Sequence, residues 1–141
     1  MNMFFVIGGV LVTPALTDSL LDGVTRDSLL TLALHKGLTV EERRVSVGEL
    51  KEGLERGQVR EAFGAGTAAV ISPIRAIGID GVKYSLPVVG EEGVTAGAGA
   101  GSVGSDAGES VALILKKELD DIRYGRQPDL FGWNSYIDCA H

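Results

Sequence analysis

The chain has 141 residues and a formal net charge of −6 at pH 7, with a sequence pI near 4.8. That length suits one domain, residues 1–141, with a genuine core and gives no reason for two. The acidic balance excludes nucleic acid or an anionic membrane as the main partner, and no apolar run approaches the roughly 20 residues that span a bilayer. Met1–Val12 is apolar but is broken by Gly8-Gly9, with no basic flank and no small-residue cleavage site, so it reads as two strands rather than a signal peptide. Cys139 is the single cysteine, which excludes an internal disulfide framework and leaves cytoplasm and organelle matrix equally open.

In chain order, Phe4–Ile7 and Val10–Val12 are short β-rich runs joined at Gly8-Gly9, the pattern of a hairpin. Arg26–Lys36 carries Leu29, Leu30, Leu32, Ala33 and Leu34 on a broad apolar face, and Gly37 is placed to end that helix. Thr39–Val45 alternates toward a strand. Ser46-Val47-Gly48-Glu49 has capping-box spacing and starts a short helix. Ala68–Ser72, Arg75–Ile79 and Val82–Leu86 read as strands, with turns at Pro73 and Asp80-Gly81. Residues 90–108 are glycine, alanine, serine and valine with few acids, and bury too little to offset their ordering entropy, so they read as a flexible insertion. Val111, Leu115, Leu119 and Ile122 recur at helical spacing in a final helix of about 14 residues. Strands and helices interleave with several adjacent strands, so the expected fold is α/β, a mixed sheet flanked by helices.

Two segments have the composition of anion-holding turns. Gly64-Ala65-Gly66 reads as a glycine turn that delivers Thr67 and then runs into the apolar strand Ala68–Ile71; glycines let N–H groups converge, and threonine adds a donor. Asp22-Gly23-Val24-Thr25-Arg26-Asp27 is a glycine-led turn that opens into a helix, whose first N–H groups and dipole favour an anion. Alone, the first is a plain hairpin turn and the second a capped helix start, with Thr25 or Asp22 as cap. Together they suggest one anionic ligand held from two sides.

Met1-Asn2-Met3-Phe4-Phe5-Val6, Leu11-Val12-Thr13-Pro14, Gly23-Val24-Thr25-Arg26-Asp27, Glu41-Glu42-Arg43, Gly64-Ala65-Gly66-Thr67-Ala68-Ala69 and Asp121-Ile122-Arg123-Tyr124-Gly125-Arg126 follow one another in that order. In this the chain closely resembles the C-terminal half of branched-chain amino acid aminotransferases, class IV (fold type IV) pyridoxal-phosphate enzymes. The resemblance covers residues 1 to about 87 and resumes at about 109 to 134. It implies a barrel-like mixed sheet with helices around it, and pyridoxal 5′-phosphate as cofactor. By the same resemblance, Gly23, Val24 and Thr25 form the phosphate-cradling turn and Thr67 also reaches the phosphate. The amides of Thr67 and Ala68 face the substrate α-carboxylate. Asp22 stands where the family usually has proline, and a carboxylate beside a phosphate costs electrostatic energy.

The family's Schiff-base lysine lies upstream of the Met-Asn-x-Phe-Phe segment, as do its phosphate-gripping arginine and the glutamate that pairs with the pyridine nitrogen. None of Lys36, Lys51, Lys83, Lys116 and Lys117 matches that lysine, so no catalytic residue is assigned and the chain is expected not to transaminate alone. Within a full enzyme the implied reaction moves the amino group of leucine, isoleucine or valine to 2-oxoglutarate. The implied assembly is a homodimer or a pairing with an intact subunit, with exposed apolar surface otherwise. Two other readings stay open: a relative of D-amino acid transaminase or aminodeoxychorismate lyase, and a non-enzymatic half-domain that binds a phosphorylated ligand. The remaining polar residues have structural readings. His35 suits a helix C-terminus, and Cys139 and His141 lack partners at metal-ligand spacing. Glu41, Glu42, Arg43 and Arg44 form solvated strand faces, and Arg60 pairs with Glu61. Phe131, Trp133 and Tyr136 pack the tail onto the domain.

Overall fold

The computed structural model describes residues 1–87 and 109–137. The glycine-rich stretch 90–108, Cys139 and His141 lie outside the described residues. β1 (Asn2–Ile7) and β2 (Val10–Pro14) form the expected antiparallel hairpin. Gly8 and Gly9 have φ of 57° and 84°, the left-handed pair that a two-residue loop of matching twist requires. α1 (Val24–His35) follows, and β3 (Val40–Arg43) then pairs parallel with β2, Leu11 opposite Val40. After α2 (Val47–Glu55), β4 (Val59–Gly66) pairs antiparallel with β1, and β5 (Val70–Pro73) with β4. The resulting mixed sheet has the order β3-β2-β1-β4-β5. β6 (Ala76–Ile79) and β7 (Val82–Ser85) form a separate hairpin around Asp80-Gly81, and α3 (Val111–Arg123) is the last helix.

One face of the sheet packs on α1 and α3. Phe4 and Phe63 are fully buried there, stacked with ring centroids 5.2 Å apart and planes 4° apart. Leu29, Leu32 and Ala33 of α1 join them, as do Ala112, Leu115, Leu119 and Ile122 of α3. Leu34, expected on that apolar face, is instead 62% exposed. The other face holds Phe5, Val59 and Ala62, covered by Leu50 and Leu54 of α2 and by Ile77 and Leu86 around the β6–β7 hairpin. Alternation along β1 divides the two layers: Phe4 and Val6 face one, Met3, Phe5 and Ile7 the other.

The structure corrects several expectations. Gly64-Ala65-Gly66 is not a turn but the end of β4, and the turn falls at Thr67–Ala69. A Cβ at Gly64 would displace the exposed Met1 side chain, whereas one at Gly66 would make only ordinary contact with Met1 Cα at 3.7 Å. Glu41, Glu42 and Arg43 are more than solvated faces. Glu42 binds the buried Arg26 at 2.6 Å, while Arg43 binds Glu41 at 2.8 Å and Glu49 at 2.6 Å. Glu49 therefore completes only half of the capping box, its amide donating to Ser46 Oγ at 3.1 Å. In the tail, Phe131 and Trp133 stack at 4.5 Å and pack on the core, but Tyr136 is 87% exposed.

Glu61 does not pair with Arg60 but receives the N-terminus of α3. Its carboxylate accepts from Ser110 Oγ at 2.9 Å and from the amides of Val111 and Ala112 at 3.0 and 3.1 Å. Glu61 faces α3 by ordinary alternation from Phe63, and the register shift comes just beyond it, where Val6 opposes Glu61 while Ile7 opposes Val59. A residue inserted in that way reverses the facing of the strand beyond it. Val59 is thereby returned to the α2 layer, while Glu61 keeps the facing of Phe63 toward the α3 layer, where a carboxylate suits a helix N-terminus.

Replacing Glu61 by alanine leaves those donors without their partner and is expected to cost about 1–3 kcal/mol, read by denaturant unfolding, with glutamine restoring part of it. Asp121 predicts a pH dependence. Lys117 at 2.6 Å and Arg126 at 2.9 Å hold its carboxyl below the usual aspartate range. A carboxyl depressed on folding contributes stability in full above its unfolded pKa of about 3.9 and loses it as pH falls through the folded value. Asp121→Asn should therefore flatten the acid limb of stability against pH, with little change in its shape above about pH 6.

Candidate functional site

The sheet register brings the two anion-type turns to one end of the molecule. β1 starts at Asn2, opposite Ala65 near the end of β4, so the Thr67–Ala69 turn lies beside that start. β2 runs antiparallel to β1 and ends at Pro14 on the same side, and the chain reaches the α1 N-terminus at Gly23 from there. Asn2 ties the second turn in: its Nδ2 donates to the Leu21 carbonyl at 2.8 Å, and its Oδ1 lies 2.6 Å from where a Gly23 Cβ would be. Gly23 has φ −78° and ψ 135°, a conformation any residue adopts. The glycine there makes room for Asn2.

The start of α1 is chemically open. Gly23 is its N-cap and no side chain caps it, neither Thr25 nor Asp22, whereas Ser46 and Ser110 cap α2 and α3. The first amide to reach back is Asp27, which donates to Gly23 O at 3.1 Å. The amides of Val24, Thr25 and Arg26 precede it and have no intrahelical acceptor. Arg26 is buried, donating to Pro14 O at 3.2 Å as well as to Glu42, and so locks the first turn of α1 to the ends of β2 and β3. Its charge is neutralised by that carboxylate, leaving backbone dipoles as the attraction for an anion.

Thr67 and Ala68 are exposed on the opposing turn. Val70, just after it, has φ 56°, a strained value for a β-branched residue, held here by the Gly66–Val70 pair and by packing on the core. Strain of this kind, of order 1–3 kcal/mol, concentrates at ligand clamps. The sequence singles out Gly23, Val24, Thr25, Thr67 and Ala68, and the structure sets Asn2 and Val70 beside them. Asparagine at the head of a strand was a usable signal, because strands are depleted in it.

No lysine among the described residues joins these turns. Lys36 follows the far end of α1, Lys51 is on α2, Lys83 on β7, and Lys116 and Lys117 on α3. A cavity of about 400 Å³ also lies at that far end, lined by Leu32, His35, Lys36, Glu118, Ile122 and Phe131 among others, and it touches neither turn. Among the described residues no cluster of histidine, cysteine, aspartate or glutamate could hold a metal ion, and no helix is long and apolar enough to cross a membrane.

The family described as amino-transferase class IV matches residues 1–77, which include both turns and Asn2. The chain belongs to the class IV aminotransferases. Similar class IV proteins include the "Probable branched-chain-amino-acid aminotransferase" of Streptomyces coelicolor, 41% identical over 94% of this chain and 32% of its own length. The Bacillus subtilis "Branched-chain-amino-acid transaminase 1" is 37% identical over 94% of this chain and 33% of its own. The chain thus spans about a third of the length of the curated relatives it matches. Among solved class IV structures, the Escherichia coli branched-chain amino acid aminotransferase superposes with a TM-score of 0.63 at 30% identity, covering 94% of this chain and 34% of that one. The branched-chain aminotransferase of the thermophilic archaeon Thermoproteus uzoniensis, with norvaline, gives 0.61 at 28% identity, covering 89% and 32%. A further branched-chain amino acid aminotransferase, complexed with N-(5′-phosphopyridoxyl)-L-glutamate, gives 0.65 at 27% identity, covering 96% and 36%. The mixed α/β sheet is therefore the fold type IV architecture of this family.

The contact between Gly23 and Asn2 is testable on this class IV chain without ligand. Gly23→Ala should force Asn2 to rotate off the Leu21 carbonyl and cost about 1 kcal/mol, measured by urea unfolding. In combination with Asn2→Ala the two costs should fall short of their sum, since one contact is lost in both.

Proposed function

We propose that this chain supplies the cofactor-phosphate side of a branched-chain amino acid aminotransferase. The phosphate of pyridoxal 5′-phosphate sits between the two turns, held by the amides of Val24 and Thr25 beside Gly23 and by the Thr67 hydroxyl. The amides of Thr67 and Ala68 face the α-carboxylate of the substrate. One observation carries this reading: the uncapped start of α1 and the strained Thr67–Val70 turn lie at the same end of the sheet on either side of Asn2.

The residues present fit a phosphate. They offer backbone amides at a helix of 12 residues, a glycine with no side chain between donor and ligand, and a hydroxyl opposite. When bound, pyridoxal 5′-phosphate supplies the electron sink for moving an amino group between an amino acid and a 2-oxo acid. This chain's part is to bind and orient. Backbone donors recognise the carboxylate common to all amino acids, and the fixed turns keep both charged ends in register. The names of the relatives support leucine, isoleucine or valine as amino donor, and 2-oxoglutarate would be the acceptor. A homodimer, or pairing with an intact subunit, would face the exposed Leu21 and Val24 toward a neighbour.

Pyridoxamine 5′-phosphate is the probe of choice, because it lacks the aldehyde that would label any lysine. In a titration followed by amide NMR, the Val24, Thr25, Thr67 and Ala68 signals should move together with one dissociation constant. Thr67→Val should weaken binding about fivefold for one lost hydrogen bond. Asp22→Asn should tighten it about twofold at low salt and make little difference at about 1 M salt, where a surface charge is screened. Shifts confined to other residues would refute the site. Supplied with leucine, 2-oxoglutarate and pyridoxal 5′-phosphate, the chain alone should make no glutamate above background, since no lysine adjoins the turns.

A further inference from the structure

We infer that Asn2 is a positioning residue that sets the separation of the two anion-recognising turns. The inference rests on the reading of those turns as one phosphate site and adds the device that holds them in register. Asn2 is bonded toward both. Its backbone is registered against Ala65, two residues before Thr67. Its side chain holds the other turn, Nδ2 on the Leu21 carbonyl at 2.8 Å and Oδ1 against Gly23. Residues 15–23 between β2 and α1 lack helix and strand, so this segment has no ladder of its own to fix it. Arg26 anchors the helix behind the turn through Pro14 and Glu42, while Asn2 anchors the turn itself.

The chemistry explains the residue type. The contact needs a short side chain with an N–H donor toward Leu21 and a compact second atom against Gly23. Asparagine offers both, although its strand propensity is poor. Aspartate has the same shape but no donor, and would set a carboxylate beside the anion. A ligand gripped from two sides gains only if both sides are already in place, because the cost of ordering a loose turn is drawn from its affinity.

The test uses the full chain, isotopically labelled with nitrogen, as wild type, Asn2→Ala and Asn2→Asp. Without ligand, amide relaxation should show Leu21–Thr25 gaining mobility in both variants, while β3 and α3 keep their wild-type shifts. With ligand, pyridoxamine 5′-phosphate affinity should fall about fivefold in Asn2→Ala, and further in Asn2→Asp. Unchanged relaxation at Leu21–Thr25 in both variants would overturn the role of Asn2. Unchanged pyridoxamine 5′-phosphate affinity in Asn2→Ala, with relaxation at Leu21–Thr25 altered, would also overturn it, because the separation of the turns would then not matter to the ligand. If the wild type ignores pyridoxamine 5′-phosphate, the ligand reading fails, yet relaxation still decides whether Asn2 fixes the turn. Should Asn2→Ala fail to fold, the isosteric Asn2→Asp carries the comparison.

Discussion

The pairing of β1 with β4 is the constraint from which the rest of the molecule follows. At its centre Phe4 stacks on Phe63, both fully buried, and that pair sets the register of the ladder. A slip of one residue would turn Phe63 to the α2 layer and every β4 side chain with it. Each end of the ladder then has its own consequence. Toward one end Glu61, two residues before Phe63 and so on the same face, accepts the first amides of α3. At the other end Asn2 lies opposite Ala65, and the two turns proposed to recognise an anion meet beside it. The same strand pair thus locates a helix start and the candidate site.

An acidic chain with the anion site proposed here has to solve an electrostatic problem. Its solution is to use backbone dipoles rather than cationic side chains. The buried Arg26 stands in the first turn of α1, but Glu42 neutralises it and Pro14 accepts from it. It serves as a bolt rather than as a charge for ligand. The run Asp121–Arg126 is likewise structural: Asp121 binds Lys117 and Arg126, and its carbonyl accepts the amides of Arg126 and Gln127. Together with the Phe131–Trp133 stack, this holds the tail on α1 and α3.

The open α1 N-terminus makes physical sense in this setting. α2 and α3 begin on serine caps, and α3 also has Glu61, so amides in their first turns find acceptors within the chain. α1 begins on glycine with no cap, and its end is held by Arg26 and Asn2 instead. Mechanical support and hydrogen-bond satisfaction are separated there. The support comes from side chains behind and beside the turn, and the donors in front have no acceptor within the helix.

Much of this was legible in the sequence. The Gly8-Gly9 hairpin, the ending of α1 at Gly37, the Ser46 cap, the Asp80-Gly81 turn and the periodicity of α3 are local effects, decided by backbone preference and by side-chain spacing over a few residues. The ordered motifs also identified the family and pointed to Gly23, Val24, Thr25, Thr67 and Ala68. Tertiary structure alone decided the rest. Gly64 and Gly66 look like a turn from their composition, and only pairing with β1 and β5 makes them strand residues. Glu61 meets α3 only because the pairing of β1 with β4 fixes which face of β4 the last helix covers, and Asn2 gains its meaning only where a strand, a loop and a helix start converge. Local sequence specifies which conformations each segment prefers. Which segments become neighbours is settled by burying both faces of one sheet at once, and that is a property of the whole chain.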